Sequence, residues 1–147
     1  MYKTKYLFFL LFIPLLFTAT GCKNNKPTDQ VCFKDQCFFV EIASSADEQV
    51  KGLMNRNSLA KDQGMLFSYI NSKKYPFWML NMEFPIDIIW INKDKQVVYI
   101  TENAQPCLDT KTCQLITPDQ VAKYVLEVNA GIVSSSGLTI GDSIEIK

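Results

Sequence analysis

Short apolar runs alternate with polar turns along this chain. The densest run is Phe77-Trp78-Met79-Leu80-Asn81-Met82-Glu83-Phe84-Pro85-Ile86-Asp87-Ile88-Ile89-Trp90-Ile91, which holds both tryptophans. Aromatic side chains bury large areas, so this stretch is expected at the centre of the packing. It reads as two strands joined at Met82 to Pro85, because proline cannot donate to a ladder. In the second strand Ile86, Ile88 and Trp90 alternate with Asp87, Ile89 and Ile91, so both faces are apolar and Asp87 is set into one of them. A carboxylate placed there must be hydrogen-bonded, ion-paired, protonated or put to use.

The flanking segments follow the same logic. Val31 to Phe33 and Cys37 to Ala43 read as a hairpin leading into a longer strand. The period then changes. Ser45 and Glu48 fit a capping box, and Ala46, Val50, Leu53 and Met54 recur at helical spacing, which predicts one short amphipathic helix over about residues 46–55. Gln63 to Tyr69, Gln96 to Glu102, Tyr124 to Asn129 and Ser143 to Ile146 read as strands, with Glu127 on the face of Val125. Pro118 to Val121 reads as a helical turn, and Ser134 to Gly137 as a linker. Short strands at regular spacing with one good helix predict a single compact mainly-β domain, barrel- or sandwich-like, over residues 31–147.

The N-terminus carries an address. Lys3 and Lys5 precede an apolar run from Tyr6 to Phe17, then Thr18-Ala19-Thr20-Gly21-Cys22. That is a charged region, a core too short for a comfortable membrane span, and a small-residue processing site. Small residues directly before a cysteine are similar to the lipobox of bacterial lipoproteins, in which Cys22 would become the acylated first residue. Residues 1–21 are then the signal peptide and residues 22–30 a flexible tether with nothing to bury. Lys23 is not the Asp that favours inner-membrane retention in that class, which leans toward the outer membrane. The expected partner is the membrane, through Cys22.

Removing 21 of the 147 residues leaves 126, a normal size for one core. It also removes two lysines from a balance of 15 basic and 15 acidic side chains, leaving a net charge of −2. Nucleic-acid binding is not expected from such a balance.

Of five cysteines, the lipidated one leaves Cys32, Cys37, Cys107 and Cys113, and an even count in an exported chain argues for disulfides. Three connectivities exist. Cys32 with Cys37 and Cys107 with Cys113 is favoured, since each pair brackets a polar turn. A redox-active or copper-binding thiol pair is the alternative, although neither motif is the Cys-x-x-Cys whose geometry depresses a thiol pKa.

A family resemblance rests on several stretches: Glu48 with Gly52-Leu53-Met54 and Arg56; Gly64-Met65-Leu66-Phe67; Phe77-Trp78-Met79 with Asn81, Pro85 and Asp87. Ala104, Pro106-Cys107 and Cys113, then Tyr124-Val125-Leu126-Glu127 with Gly131 and Gly141-Asp142, continue it in order. Over about residues 39–147 the chain resembles the domain-of-unknown-function family 192. Family members often carry Lys and Thr where this chain has Leu80 and Met82. The resemblance implies a compact mainly-β domain, often exported, and brings no biochemical activity with it.

Absences narrow the chemistry. With no histidine, Ser-His-Asp and Cys-His nucleophiles and His-ligated zinc are out. No phosphate-cradling glycine loop or dinucleotide fingerprint appears, so no cofactor or metal is expected. Arg56, Asn81, Asp87 and Glu127 remain as polar groups among apolar neighbours. One reading is an internal network in which Asp87 or Glu127 accepts from Arg56 or backbone amides. Another has some of them converge with Trp78 and Tyr99 on a pocket for a small polar or sugar-like ligand. A carbohydrate-acting hydrolase would use Asp87 and Glu127 as its carboxylate pair, which needs them about 5 to 10 Å apart across an open cleft. A Cu(I) site would use Met54, Met65, Met79 and Met82, although methionines in apolar segments more often fill core gaps. The reading favoured overall is a non-enzymatic binding or structural module of the cell envelope.

Overall fold

The structure, a computed structural model, describes Met1 and residues 28–147. The expected signal peptide beyond Met1, Cys22 and the tether through residue 27 lie outside the described residues. Strands β1 (Gln30–Phe33) and β2 (Gln36–Ala43) form a hairpin in which Cys32 pairs with Cys37 across the ladder and is bonded to it. Ser45 and Glu48 make the reciprocal capping box that starts helix α1 (Ala46–Lys51). The chain then returns as β3 (Gln63–Lys73), parallel to β2. β4 (Ile86–Ile91), β5 (Val97–Ala104) and β6 (Ala122–Asn129) follow, then helix α2 (Ile132–Ser136) and the short β7 (Glu145–Ile146).

These strands form one mainly-β, seven-stranded sheet in the order β5-β4-β6-β3-β2-β1-β7, curled into a half-barrel. Its two edges approach each other at one corner. Gln96 bridges Ser143, Val97 N–H donates to Asp142 O, and Ile144 N–H donates to Lys95 O. The run-in to β7 therefore occupies backbone groups beside one end of β5 that an open sheet would leave unpaired.

β4 lies between β5 and β6, and all six of its residues are buried, as its two-faced apolar pattern predicts. One face carries Val31, Val40, Leu66, Ile89, Ile91, Leu126 and Val128, closed over by Val133, Leu138 and Ile144. The other carries Met65, Phe67, Ile88, Trp90 and Val125, covered by Leu53, Leu59, Phe77, Met79 and Met82. Full burial of one such side chain contributes about 1.5–3 kcal/mol. Trp90 is sealed between the edges of Phe77 and Tyr99, and its indole N–H donates to Tyr75 O at 2.9 Å.

The local expectations need five corrections. Phe77 to Leu80 is not a strand: it crosses over the sheet face, held by single bridges from Phe77 to Ile116 and from Leu80 to Cys107. Pro76 and Pro85 lack the N–H groups a ladder needs, and Asn81 between them is left-handed (φ 55°). This arrangement turns Trp78 outward, 39% exposed, while only Trp90 belongs to the interior. α1 stops at Lys51 rather than near Asn55, because Gly52 leaves helical geometry (φ 48°, ψ −135°). The residues read as a linker at Ser134 to Gly137 lie largely within α2, and Pro118 to Val121 forms bends rather than a helical turn.

Candidate functional site

The two buried carboxylates meet opposite fates. Asp87 faces the Ile89 side of β4. Its Oδ1 accepts from Asn103 N–H and its Oδ2 from Val133 N–H, both at 2.8 Å. It thereby ties the end of β5 and the first turn of α2 to the central strand. That is the backbone-amide version of the internal network, and it uses up both oxygens.

Glu127 faces the other side. It sits on β6 between Met65 of β3 and Ile88 of β4. It is 4% exposed, and its Oε2 is buried with no hydrogen-bond partner. Burial pushes its carboxyl up to about pKa 8, and the nearby positive charge of Arg56 only partly opposes this. Arg56 is committed elsewhere: both terminal nitrogens donate to the two carboxylate oxygens of Glu41. That pair holds Glu41 below the ordinary carboxylate range and Arg56 above its own.

Above Glu127 is a cavity of about 30 Å³ walled by Gly52, Leu53, Met54, Phe67, Phe77, Trp78 and Met82, with Gln49 to Lys51 at its side. A cleft of about 210 Å³ shares Gln49, Val50, Phe77 and Trp78 with it and adds Tyr69 and Pro76. The floor and walls follow from strand alternation, which puts Met65, Phe67 and Glu127 on one face. α1 and the segment crossing from Tyr75 to Met82 form the two banks. Phe67 meets Phe77 edge-on at 4.8 Å, and Tyr69 stacks on Tyr75 at 3.5 Å. Burial raises the Tyr69 hydroxyl above its usual range, and Tyr75 and Glu127 add to the effect. The Gln49 side chain donates to the carbonyls of Ala43, Ser44 and Ser68, which pins α1 to the end of β2 and the middle of β3. A larger groove of about 650 Å³ follows the Cys32–Cys37 hairpin, but Lys34 and Lys147 there are held by Asp142 and Glu145, and no buried polar atom lacks a partner.

Of the residues singled out in the sequence, Trp78 and Glu127 meet at this cavity, with Met54 and Met82 in its wall. Arg56 acts on Glu127 only through its field, and Tyr99 packs against Trp90. Asn81 contributes its backbone, accepting from Asn55 N–H and donating to Cys107 O. Asp87 and Glu127 cannot work as a hydrolytic pair, because Asp87 stands opposite Val128 while Ile88 stands opposite Glu127, which sends the two carboxylates to opposite faces. Met65, Met79 and Met82 are buried core members, and Cys107 is bonded to Cys113. Sequence reasoning missed Glu41, Phe67, Phe77 and Gly52. The signals were present: Glu41 alternates with buried Val40, and Gly52 marks the helix end directly before an apolar pair.

Comparison with known proteins agrees with the fold. The sequence profile of DUF192, described as an uncharacterized ACR, matches residues 29–146. No curated protein matches the chain. A crystal structure of a protein of unknown function from Novosphingobium aromaticivorans DSM 12444 is similar at 32% identity and a TM-score of 0.71, covering 80% of this chain and 82% of that one. A candidate transcription regulator from Sinorhizobium meliloti 1021 is similar at 31% identity and a TM-score of 0.72, covering 80% and 91%. With all of its described sheet inside the matched region, the chain belongs to the domain-of-unknown-function family 192.

Proposed function

We propose that this protein is a non-enzymatic binding module of the cell envelope, anchored by an acylated Cys22, that takes a small polar ligand in the cleft above Glu127. The observation carrying this reading is the Glu127 carboxyl: buried, unpartnered at Oε2, and lying under an aromatic wall whose outermost ring, Trp78, is 39% exposed. Leaving a buried polar atom unsatisfied costs about 1–3 kcal/mol, a cost that a ligand group reaching it would offset. An apolar, mostly aromatic pocket with few polar groups is the usual form of a small-molecule site. The fluorescence of Trp78 provides the test, because Trp90 is sealed and serves as an internal reference. Titration with small sugars, amines and peptidoglycan fragments is expected to give a saturable change that Trp78→Phe abolishes. A panel that leaves the fluorescence unchanged would remove the binding role.

The anchor is a separate claim with a separate test. Cys22→Ser in the native host is expected to release the chain from the membrane fraction, and the outer membrane is its expected location. The Sinorhizobium relative is described as a candidate transcription regulator, but a nucleic-acid role is not proposed for this chain, whose basic and acidic side chains balance at 15 each. The hydrolase alternative draws no support from two carboxylates on opposite sheet faces.

A further inference from the structure

We propose that the group taken by this cleft is a primary alkylammonium, its NH3⁺ head against Glu127 Oε2 and its alkyl chain lying along Phe77 and Trp78 toward the mouth. The inference rests on the cleft being a binding site and adds the ligand class. The polar content of the walls is the first argument. Among the described residues Glu127 offers the buried side-chain oxygen without a partner, whereas Phe67, Phe77 and Met82 offer only ring faces and a thioether and Trp78 adds one indole N–H near the mouth. The Gln49 NH2 is already shared among three carbonyls, which leaves that side chain only its oxygen as an acceptor. A polyhydroxylated ligand would find one buried acceptor beside apolar walls, with the remaining polar groups of Gln49, Lys51, Tyr69 and Trp78 spread along the sides and mouth.

Aromatic faces attract cations, and a carboxyl that gives up its proton as a cation arrives adds a charge attraction that a neutral ligand does not gain. The protein does not fill this role itself: Arg56 is held bidentately by Glu41, and Lys51, at the side of the cavity, makes no bond to the unpartnered Glu127 Oε2. Size sets the head group. The space beside the carboxyl is about 30 Å³, room for only a small group. It favours a compact NH3⁺ over the bulkier trimethylammonium. The adjoining cleft of about 210 Å³ accommodates an unbranched chain.

The experiment titrates the purified protein at matched ionic strength with n-butylammonium, Nα-acetyl-lysine amide, n-butanol and tetramethylammonium, read by Trp78 fluorescence. The two primary amines are expected to saturate, with butanol and tetramethylammonium at least about tenfold weaker, a difference of about 1.4 kcal/mol. Tighter binding of butylammonium would point to a free amine as the natural source, and of the lysine amide to a peptide side chain. Amine affinity is also expected to rise from pH 6 to pH 8, as the cation binds the ionised carboxyl and releases its proton. The other charged and titratable groups around Glu127 are Glu41 and Arg56, Glu48 and Lys51 on α1, and Tyr69 with Tyr75. Glu41 and Glu48 ionise lower than usual, and Arg56 and both tyrosines higher.

Glu127→Gln is expected to weaken butylammonium at least about tenfold. If that variant does not fold, the comparison of butylammonium with butanol on the unmodified protein decides. Butanol binding as tightly as butylammonium, or a folded Glu127→Gln binding the amine unchanged, would overturn the assignment. Sugars that saturate where amines do not would overturn it while leaving the cleft reading intact. Silence from both classes would end both.

Discussion

Asp87 and Glu127 stand on adjacent strands one register step apart, Asp87 opposite Val128 and Glu127 opposite Ile88, and they leave the sheet on opposite sides. On one side the chain brings two backbone amides to the carboxylate; on the other it brings rings and thioethers. The first acid is consumed by folding. The second keeps an oxygen free, and this difference is why Glu127 rather than Asp87 carries the functional reading.

Asp87→Asn should lower stability by about 2–4 kcal/mol, or roughly 10 °C in Tm. Asn retains one acceptor oxygen and presents its NH2 to a backbone N–H that now has no partner. Because the bonds reach Asn103 and Val133, the loss should include fraying of α2, visible as faster amide exchange at Val133. A variant as stable as its parent would show that these bonds contribute nothing.

Glu127 should give the protein an unusual alkaline limb of stability. Its folded pKa is raised to about 8 from an ordinary 4.5. Between those values the folded state holds a proton that the unfolded state has lost, so stability falls as pH rises through this window. The total penalty is on the order of a few kcal/mol, complete above about pH 8 and absent below about 4.5. Glu41, held low by Arg56, works in the opposite sense, its contribution being lost as pH falls through its own depressed pKa. Urea unfolding at pH 5, 6, 7 and 8 should show the decline in the parent and a flatter profile in Glu127→Gln. Equal slopes in both would reassign the effect.

How much of this was legible depended on whether the cause was local. β4 could be read directly, because a central strand must be apolar on both faces and that pattern is contained in six residues. The capping box at Ser45 and Glu48 was equally local. The turn-bracketing cysteines also pair as their spacing suggested. Trp78 could not be distinguished from Trp90, because composition does not say whether a segment lies in a sheet or across it. The partners of Asp87 were hidden for a related reason: they are backbone amides delivered by residues 16 and 46 positions away. The short helix at Val133 depends on one of them, so a stretch of serines reads as a linker until the buried acid is placed beneath it.

Removing the Cys107–Cys113 bridge as the double Cys→Ser variant should cost about 2 kcal/mol, the chain entropy of closing so short a loop. The bridge sits where Cys107 exchanges backbone bonds with Met79 and Asn81, so it steadies the segment that presents Trp78. Thermal unfolding should therefore shift modestly, while the Trp78 emission changes more than the overall loss implies. Unchanged emission would separate the bridge from the cleft.

Gly52 provides a sharper test of how the cleft is built. It sits at φ 48° and ψ −135°, away from the left-handed well that side chains tolerate, while its N–H still donates to Glu48 O at 2.8 Å. A Cβ here would lie 3.2 Å from Phe67 Cζ and 3.9 Å from Glu127 Oε2, so it would press on the floor of the cavity. Gly137, at φ 68° and ψ 27°, is an ordinary left-handed helix end with nothing within 4 Å of an added Cβ. Gly137→Ala should cost about 1 kcal/mol from backbone strain alone. Gly52→Ala should cost about 2–4 kcal/mol, because strain and crowding of Phe67 act together. It should also alter the Trp78 emission, which Gly137→Ala leaves alone. Denaturant unfolding of the two variants side by side measures the difference; equal losses would mean that Gly52 is needed only to end α1 and has no part in shaping the cavity.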